Sequence, residues 1–179
     1  MRRLSVLVAL VAMIALAGSA TASPATLKTF GTGVVTITGA DSATIVNDFG
    51  EYGGVYIQSK SQSSKPLNKV VFQFTSRGDV AGGAPRFSLP IDTDGNPNTI
   101  DYAFLDAAGC GAPVGPNTTV ATLVSTQNPV CKVNFNSVDY ANWAAFAADN
   151  PTYRIGQGWT PFIIADVVGS YNVTDIVLR

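Results

Sequence analysis

Short stretches of alternating apolar and polar residues recur along this chain, and Gly, Asn, Asp or Pro closes each one. A period of two puts successive side chains on opposite faces of a strand, and those four residue types turn the chain. In 86–91, Phe87, Leu89 and Ile91 share a face. In 100–105, Ile100, Tyr102 and Phe104 do. In 69–75, Val70, Phe72 and Phe74 oppose Val71, Gln73 and Thr75. Residues 34–38, 43–46, 54–58, 119–124, 130–135, 162–165 and 171–178 read as further strands. About ten short strands with turn signals between them predict an all-β, two-sheet antiparallel β-sandwich, jelly-roll-like in character. Only 13% of residues are charged and Glu51 is the only glutamate, so the charged helix formers are scarce.

One short helix is expected near 138–148. Ser137 can cap it, Asp139 suits its first turn, and Asn150-Pro151 ends it. Tyr140, Trp143, Ala144 and Ala147 would then share a face. That stripe predicts packing on a sheet, with a ligand-stacking role for Trp143 as the alternative.

The N-terminus reads as an export signal. Arg2 and Arg3 precede an apolar core over 4–16, and Ala20-Thr21-Ala22 forms an A-x-A cleavage site. The core is shorter than the ~20 residues a membrane span needs. Residues 1–22 are therefore expected to be cleaved, leaving 23–179 as a single secreted, extracellular β-sandwich domain with no membrane span. Two of the 11 basic residues and none of the 12 acidic ones lie in that signal, so the rest carries a net charge of −3. This argues against nucleic acid as a partner, because phosphate binding needs a basic surface.

Cys110 and Cys131 are the only cysteines, and in an exported chain an even count predicts a disulfide. A zinc site would need more ligands, and the sequence has no histidine. The missing histidine also excludes Ser-His-Asp and Cys-His catalysis and H-E-x-x-H metalloprotease chemistry. Any carboxylate chemistry would rest almost wholly on aspartates.

The closing segment 161–179 contains Val173-Thr174-Asp175-Ile176-Val177-Leu178. It resembles the last strands of carbohydrate-binding-module-like (galactose-binding-like) jelly-roll domains. The resemblance covers under a fifth of 23–179 and implies a two-sheet sandwich; no binding residue carries over by motif.

Two features are candidate sites. Asp92, Asp94, Asn96 and Asp101 form the densest run of side-chain oxygens, between two expected strands. Calcium takes six to eight oxygen ligands, so this loop is a candidate structural calcium site. It is not an EF-hand, since Pro97 fills the glycine position and Ala103 stands where a bidentate acid is required. The same residues also read as a plain turn. The second feature is aromatic. Trp159, in the Gly-rich stretch Gly156-Gln157-Gly158-Trp159, together with Tyr153, Tyr52, Tyr56 and Trp143, would supply stacking faces for sugar rings. The alternative is that Trp159 plugs one end of the core. Arg77-Gly78-Asp79 matches the integrin-binding tripeptide in an expected turn, and Asn117 and Asn172 fit the N-glycosylation pattern.

The expected function is a secreted, non-catalytic module that binds carbohydrate, an extracellular polysaccharide or a cell-surface glycan. One rival is a small glycoside hydrolase with a carboxylate pair drawn from Glu51, Asp92, Asp94, Asp101 and Asp106. Another is a structural surface or matrix protein.

Overall fold

The computed structural model describes residues 26–59 and 62–179, so the expected signal peptide lies outside the described residues. Two antiparallel sheets pack face to face, with one short helix. The larger sheet runs β1 (Thr26–Gly31), β4 (Gly53–Gln58), β12 (Phe162–Ala165), β6 (Arg86–Asp92), β7 (Ile100–Asp106), β9 (Val133–Phe135) and β10 (Val138–Tyr140). A two-residue strand, β11 (Arg154–Ile155), pairs with the C-terminal end of β6. The smaller sheet runs β2 (Val34–Gly39), β3 (Ser42–Asn47), β13 (Gly169–Leu178), β5 (Phe72–Val80) and β8 (Gly115–Ser125).

The alternation places the core as expected. Phe87, Leu89 and Ile91 of β6 are fully buried between the sheets, and so are Phe72 and Phe74 of β5. The Phe72 and Phe87 rings stack across the interface. Each such side chain contributes roughly 1.5–3 kcal/mol by leaving water. A smaller cluster of Ile45, Ala84, Ala165 and Tyr171 closes one end. There the Tyr171 hydroxyl lies 3.1 Å from the Val167 carbonyl and 3.2 Å from that of Val168. Asn47 links the sheets, donating from Nδ2 to the Ala165 carbonyl at 2.8 Å.

Cys110 and Cys131 form the expected disulfide. It ties the turn after β7 to the start of β9 and encloses β8. A loop of that length stabilises by about 3 kcal/mol in the chain-entropy model.

Several elements differ from the expectation. The helix, α1 (Trp143–Asp149), starts later than Ser137. Asn136 and Ser137 both have positive φ, 50° and 65°, and form the two-residue turn between β9 and β10. Paired left-handed residues match the twist of a hairpin, so 138–140 pairs as a strand instead of opening the helix. The cap is Asn142, whose Oδ1 accepts from the Ala145 N–H at 2.9 Å. Consequently Trp143, Phe146 and Ala147 form the buried face, and Ala144 is exposed. Strand β1 was not marked by the alternation. Strand β8 begins at Gly115, four residues before the expected strand 119–124. Finally, Arg77-Gly78-Asp79 lies within β5, not in a turn.

Pro90 sits inside central strand β6 without losing a ladder bond. Its carbonyl accepts from the Gly156 N–H at 2.9 Å, so its nitrogen faces the same side. On that side β11 has ended and β12 has not begun. The gap is filled by the loop 156–161, which carries Trp159. Gly156 allows the close approach: a Cβ there would lie 2.6 Å from Ile100 Cδ1 and 3.4 Å from Pro90 Cβ.

Candidate functional site

The outer face of the larger sheet carries a band of aromatic side chains. The strand register brings Tyr56, Phe162, Ser88 and Phe104 into one row across β4, β12, β6 and β7. Residues in register on neighbouring strands share a face, so the three rings lie on the side away from the core. One row further along, Phe30 of β1 pairs with Gly54. Its ring covers that glycine, where a Cβ would meet Phe30 Cζ at 2.6 Å. One row the other way, Tyr102 pairs with Pro90.

These rings touch in sequence across the sheet. Phe30 lies 4.4 Å from Tyr56 and 5.6 Å, edge-on, from Phe162. Phe162 lies 5.3 Å from Tyr102, and Tyr102 lies 6.3 Å, edge-on, from Trp159. Phe30, Tyr56, Phe162 and Tyr102 are half-buried, so their edges and part of their faces meet solvent. Trp159 is 44% exposed. From β1 to β7 the band crosses four inter-strand steps, about 19 Å. Burial of Tyr102, and secondly the nearby phenol of Tyr56, push its hydroxyl above the usual tyrosine range. The Ser88 hydroxyl is fully buried in this row, and among the described residues it has no hydrogen-bond partner.

Polar groups border the band. Lys28 and Gln58 are exposed at the β1–β4 side. At the β7 side the Trp159 indole donates from Nε1 to the Pro97 carbonyl at 3.0 Å, which ties its loop to the oxygen-rich 92–99 turn. At the far end of β6, Arg86 makes a two-pronged ion pair with Asp166, at 2.7 and 2.6 Å. Its guanidinium also lies 5.5 Å from the Phe104 ring centre. Hydrogen bonds from Arg86 hold the Asp166 carboxyl below the usual carboxylate range, outweighing its partial burial.

The 92–99 turn is built by its own side chains. Asp92 Oδ1 accepts from the N–H groups of Asp94 (3.1 Å) and Gly95 (2.6 Å). Asp94 Oδ1 accepts from Asn96 N–H at 2.8 Å, and Asn96 Oδ1 from Asn98 N–H at 3.0 Å. Asp101 is drawn away, accepting from Asn136 Nδ2 at 3.0 Å. The oxygens considered as calcium ligands thus cap backbone groups in successive Asx turns. Among the described residues no group of three or more His, Cys, Asp or Glu is placed to hold a metal ion.

Of the five aromatic candidates only Trp159 and Tyr56 belong to the band. Trp143 is in the core, 2% exposed, and donates from Nε1 to the Leu67 carbonyl at 2.9 Å. Tyr153 is half-buried and packs on Phe135, 5.9 Å away. Tyr52 lies in the turn before β4, where its carbonyl accepts from Thr32 and Gly33. Phe30, Phe162 and Tyr102 are the members that site reasoning from sequence missed. The grouping of Tyr102 with Phe104 was visible in the β7 alternation. For Phe162 the continuous run 162–165 hides which residue faces outward.

The carboxylates considered for hydrolysis are split between the two ends of β6. Glu51 and Asp106 lie toward the Arg86 end, where Glu51 Oε2 accepts from Asp48 N–H and Asp106 Oδ1 from Gly109 N–H. Asp92, Asp94 and Asp101 lie at the other end. Strand β6 separates the two groups by about 20 Å, so no glycosidase pair, about 5–10 Å apart, can draw one carboxylate from each end. Asp79 of the integrin-like tripeptide accepts from the N–H groups of Asn117 (2.6 Å) and Ser170 (2.7 Å).

No protein-family model matches the chain, and no curated protein or solved structure matches it.

Proposed function

We propose that the protein is a secreted, non-catalytic module that binds an extracellular polysaccharide or glycan on the outer face of its larger sheet. The observation that carries this reading is the connected band of Phe30, Tyr56, Phe162, Tyr102 and Trp159. Sugar rings have apolar C–H faces that pack on aromatic surfaces, while their hydroxyls need polar partners. The band offers the first, and Lys28, Gln58 and the Asp/Asn-rich turn offer the second. Exposed aromatic clusters of this kind on a rigid sheet are uncommon without a partner, since sheets put polar residues toward water. Its length suits an oligosaccharide better than a single sugar. The resemblance of β13 to the closing strand of carbohydrate-binding-module-like domains points the same way.

Retention on insoluble polysaccharides tests the proposal. The exported, purified protein should be retained by at least one polymer, and Trp159→Ala and Phe162→Ala should each weaken retention about tenfold or more. Aromatic contacts of this size are worth roughly 1–3 kcal/mol by truncation. Absence of retention on every polymer, or full retention by both variants, would contradict it.

A further inference from the structure

A cleft of about 770 Å³ opens between α1, the turn 66–70 and the loop 126–129, and it shares no lining residue with the aromatic band. One wall is α1, presenting Ala144, Ala147 and Ala148. The facing wall is the tight turn 66–70, a third is the loop 126–129, and Pro151 and Arg154 close the end. Trp143 lies beneath, its indole N–H bonded to the Leu67 carbonyl, so the two main walls are stitched together. Asn142 braces a second corner, accepting from Ala145 N–H and donating from Nδ2 to the Pro129 carbonyl at 3.2 Å. Thr126 braces a third, with Oγ1 accepting from the Phe72 N–H at 3.1 Å. The cleft is held open by bonds within its walls.

Its chemistry is distinctive. Its exposed apolar surface comes from Pro66, Pro129, Pro151, Ala144 and Ala148 over a buried floor of Leu67 and Trp143, and neutral amides such as Asn68, Gln127 and Asn128 interleave with it. Among the described residues, Lys69 and Arg154 are its only charged lining residues and no carboxylate lines it. The surrounding chain is net acidic, so this is a local reversal of charge. Arg154 is held in place by bonds from Nη1 to the carbonyls of Pro151 (2.9 Å) and Tyr153 (2.8 Å), which leave Nε and Nη2 as further donors. Clefts of 300–1,000 Å³ with an apolar lining and a few fixed polar groups are the usual shape of small-molecule sites.

We propose that this cleft is a second site, independent of the aromatic band, for a small amphipathic anion: an apolar ring or short alkyl body carrying one carboxylate, sulfate or phosphate. The apolar body seats against Ala144 and Ala148 of α1 and against Pro66, Pro129 and Pro151, above the buried Trp143 and Leu67. The anionic group is met by Lys69 and the guanidinium of Arg154, a residue suited to planar oxyanions.

The test uses two probes with the same body, 8-anilinonaphthalene-1-sulfonate and the neutral N-phenyl-1-naphthylamine. Fluorescence and calorimetric titration of the exported protein should give saturable one-to-one binding of the sulfonate, several-fold tighter than the neutral probe. Ala148→Leu and Ala144→Leu enlarge exposed wall residues without entering the core, and each should weaken both probes at least tenfold. Lys69→Ala should weaken the sulfonate several-fold and leave the neutral probe unchanged. Trp159→Ala should change neither, which separates this site from the carbohydrate reading. Absent saturable binding, binding indifferent to both leucine variants, or binding lost only in Trp159→Ala would each overturn the proposal.

Discussion

Arg86 shows how single side chains organise the outer face. Its guanidinium donates to both oxygens of Asp166 and to the Gly83 carbonyl, and lies over the Phe104 ring. The pair joins β6 to the turn after β12 at one end of the aromatic band. Its exposure, 24% for Arg86 and 37% for Asp166, limits its worth to the order of 1 kcal/mol. Because the Asp166 carboxyl is held below its unfolded value, the stabilisation is present above the unfolded carboxylate range near 4 and is lost as pH falls through the folded value. Asp166→Asn should therefore lower the melting temperature by a few degrees at pH 7. That difference should shrink toward zero as pH falls through the folded value, which lies below the usual carboxylate range. A difference that stayed constant across pH, in melting curves by circular dichroism, would show that the charge has no part in it.

At the scale of elements, α1 depends on its cap more than on its length. A helix of seven residues does not hold alone in water, so tertiary packing and Asn142 must fix it. Asn142→Ala removes the acceptor for Ala145 N–H and the bond to Pro129, and should cost about 1–2 kcal/mol in urea unfolding with an unchanged m-value. A cost near zero would mean that packing of Trp143 and Phe146 alone sets the helix start. This element also marks where sequence reasoning reached its limit. Ser137 and Asp139 have the chemistry of a helix start, and nothing in their identity reveals the positive φ that makes 136–137 a hairpin turn. By contrast Phe87, Leu89 and Ile91 were legible because a half-buried strand writes its burial into a period of two. Strand β1 was not, because Thr26, Lys28 and Thr29 are exposed and little of it packs on the core.

For the whole molecule, what was legible was the architecture, and what was not was the surface it builds. Two antiparallel sheets, a short helix and the Cys110–Cys131 disulfide follow from pattern and cysteine count. The Gly-rich setting of Trp159 suited either an exposed ligand contact or a plug at one end of the core, and the side chain is exposed. The band, however, gathers residues from β1, β4, β7, β12 and the 156–161 loop, and only strand order and register bring them together. Trp143 and Tyr153 belong elsewhere, since one is buried against Leu67 and the other packs on Phe135. The two tryptophans therefore report on different places: Trp159 on the band, Trp143 on the core beside the cleft. A nuclear magnetic resonance titration of the two indole N–H signals with oligosaccharides released from a retained polymer uses this directly. The carbohydrate reading predicts a saturable shift of the Trp159 signal, larger for longer oligosaccharides, with the Trp143 signal unmoved. An unchanged Trp159 signal at saturating oligosaccharide, or a shift confined to Trp143, would contradict it.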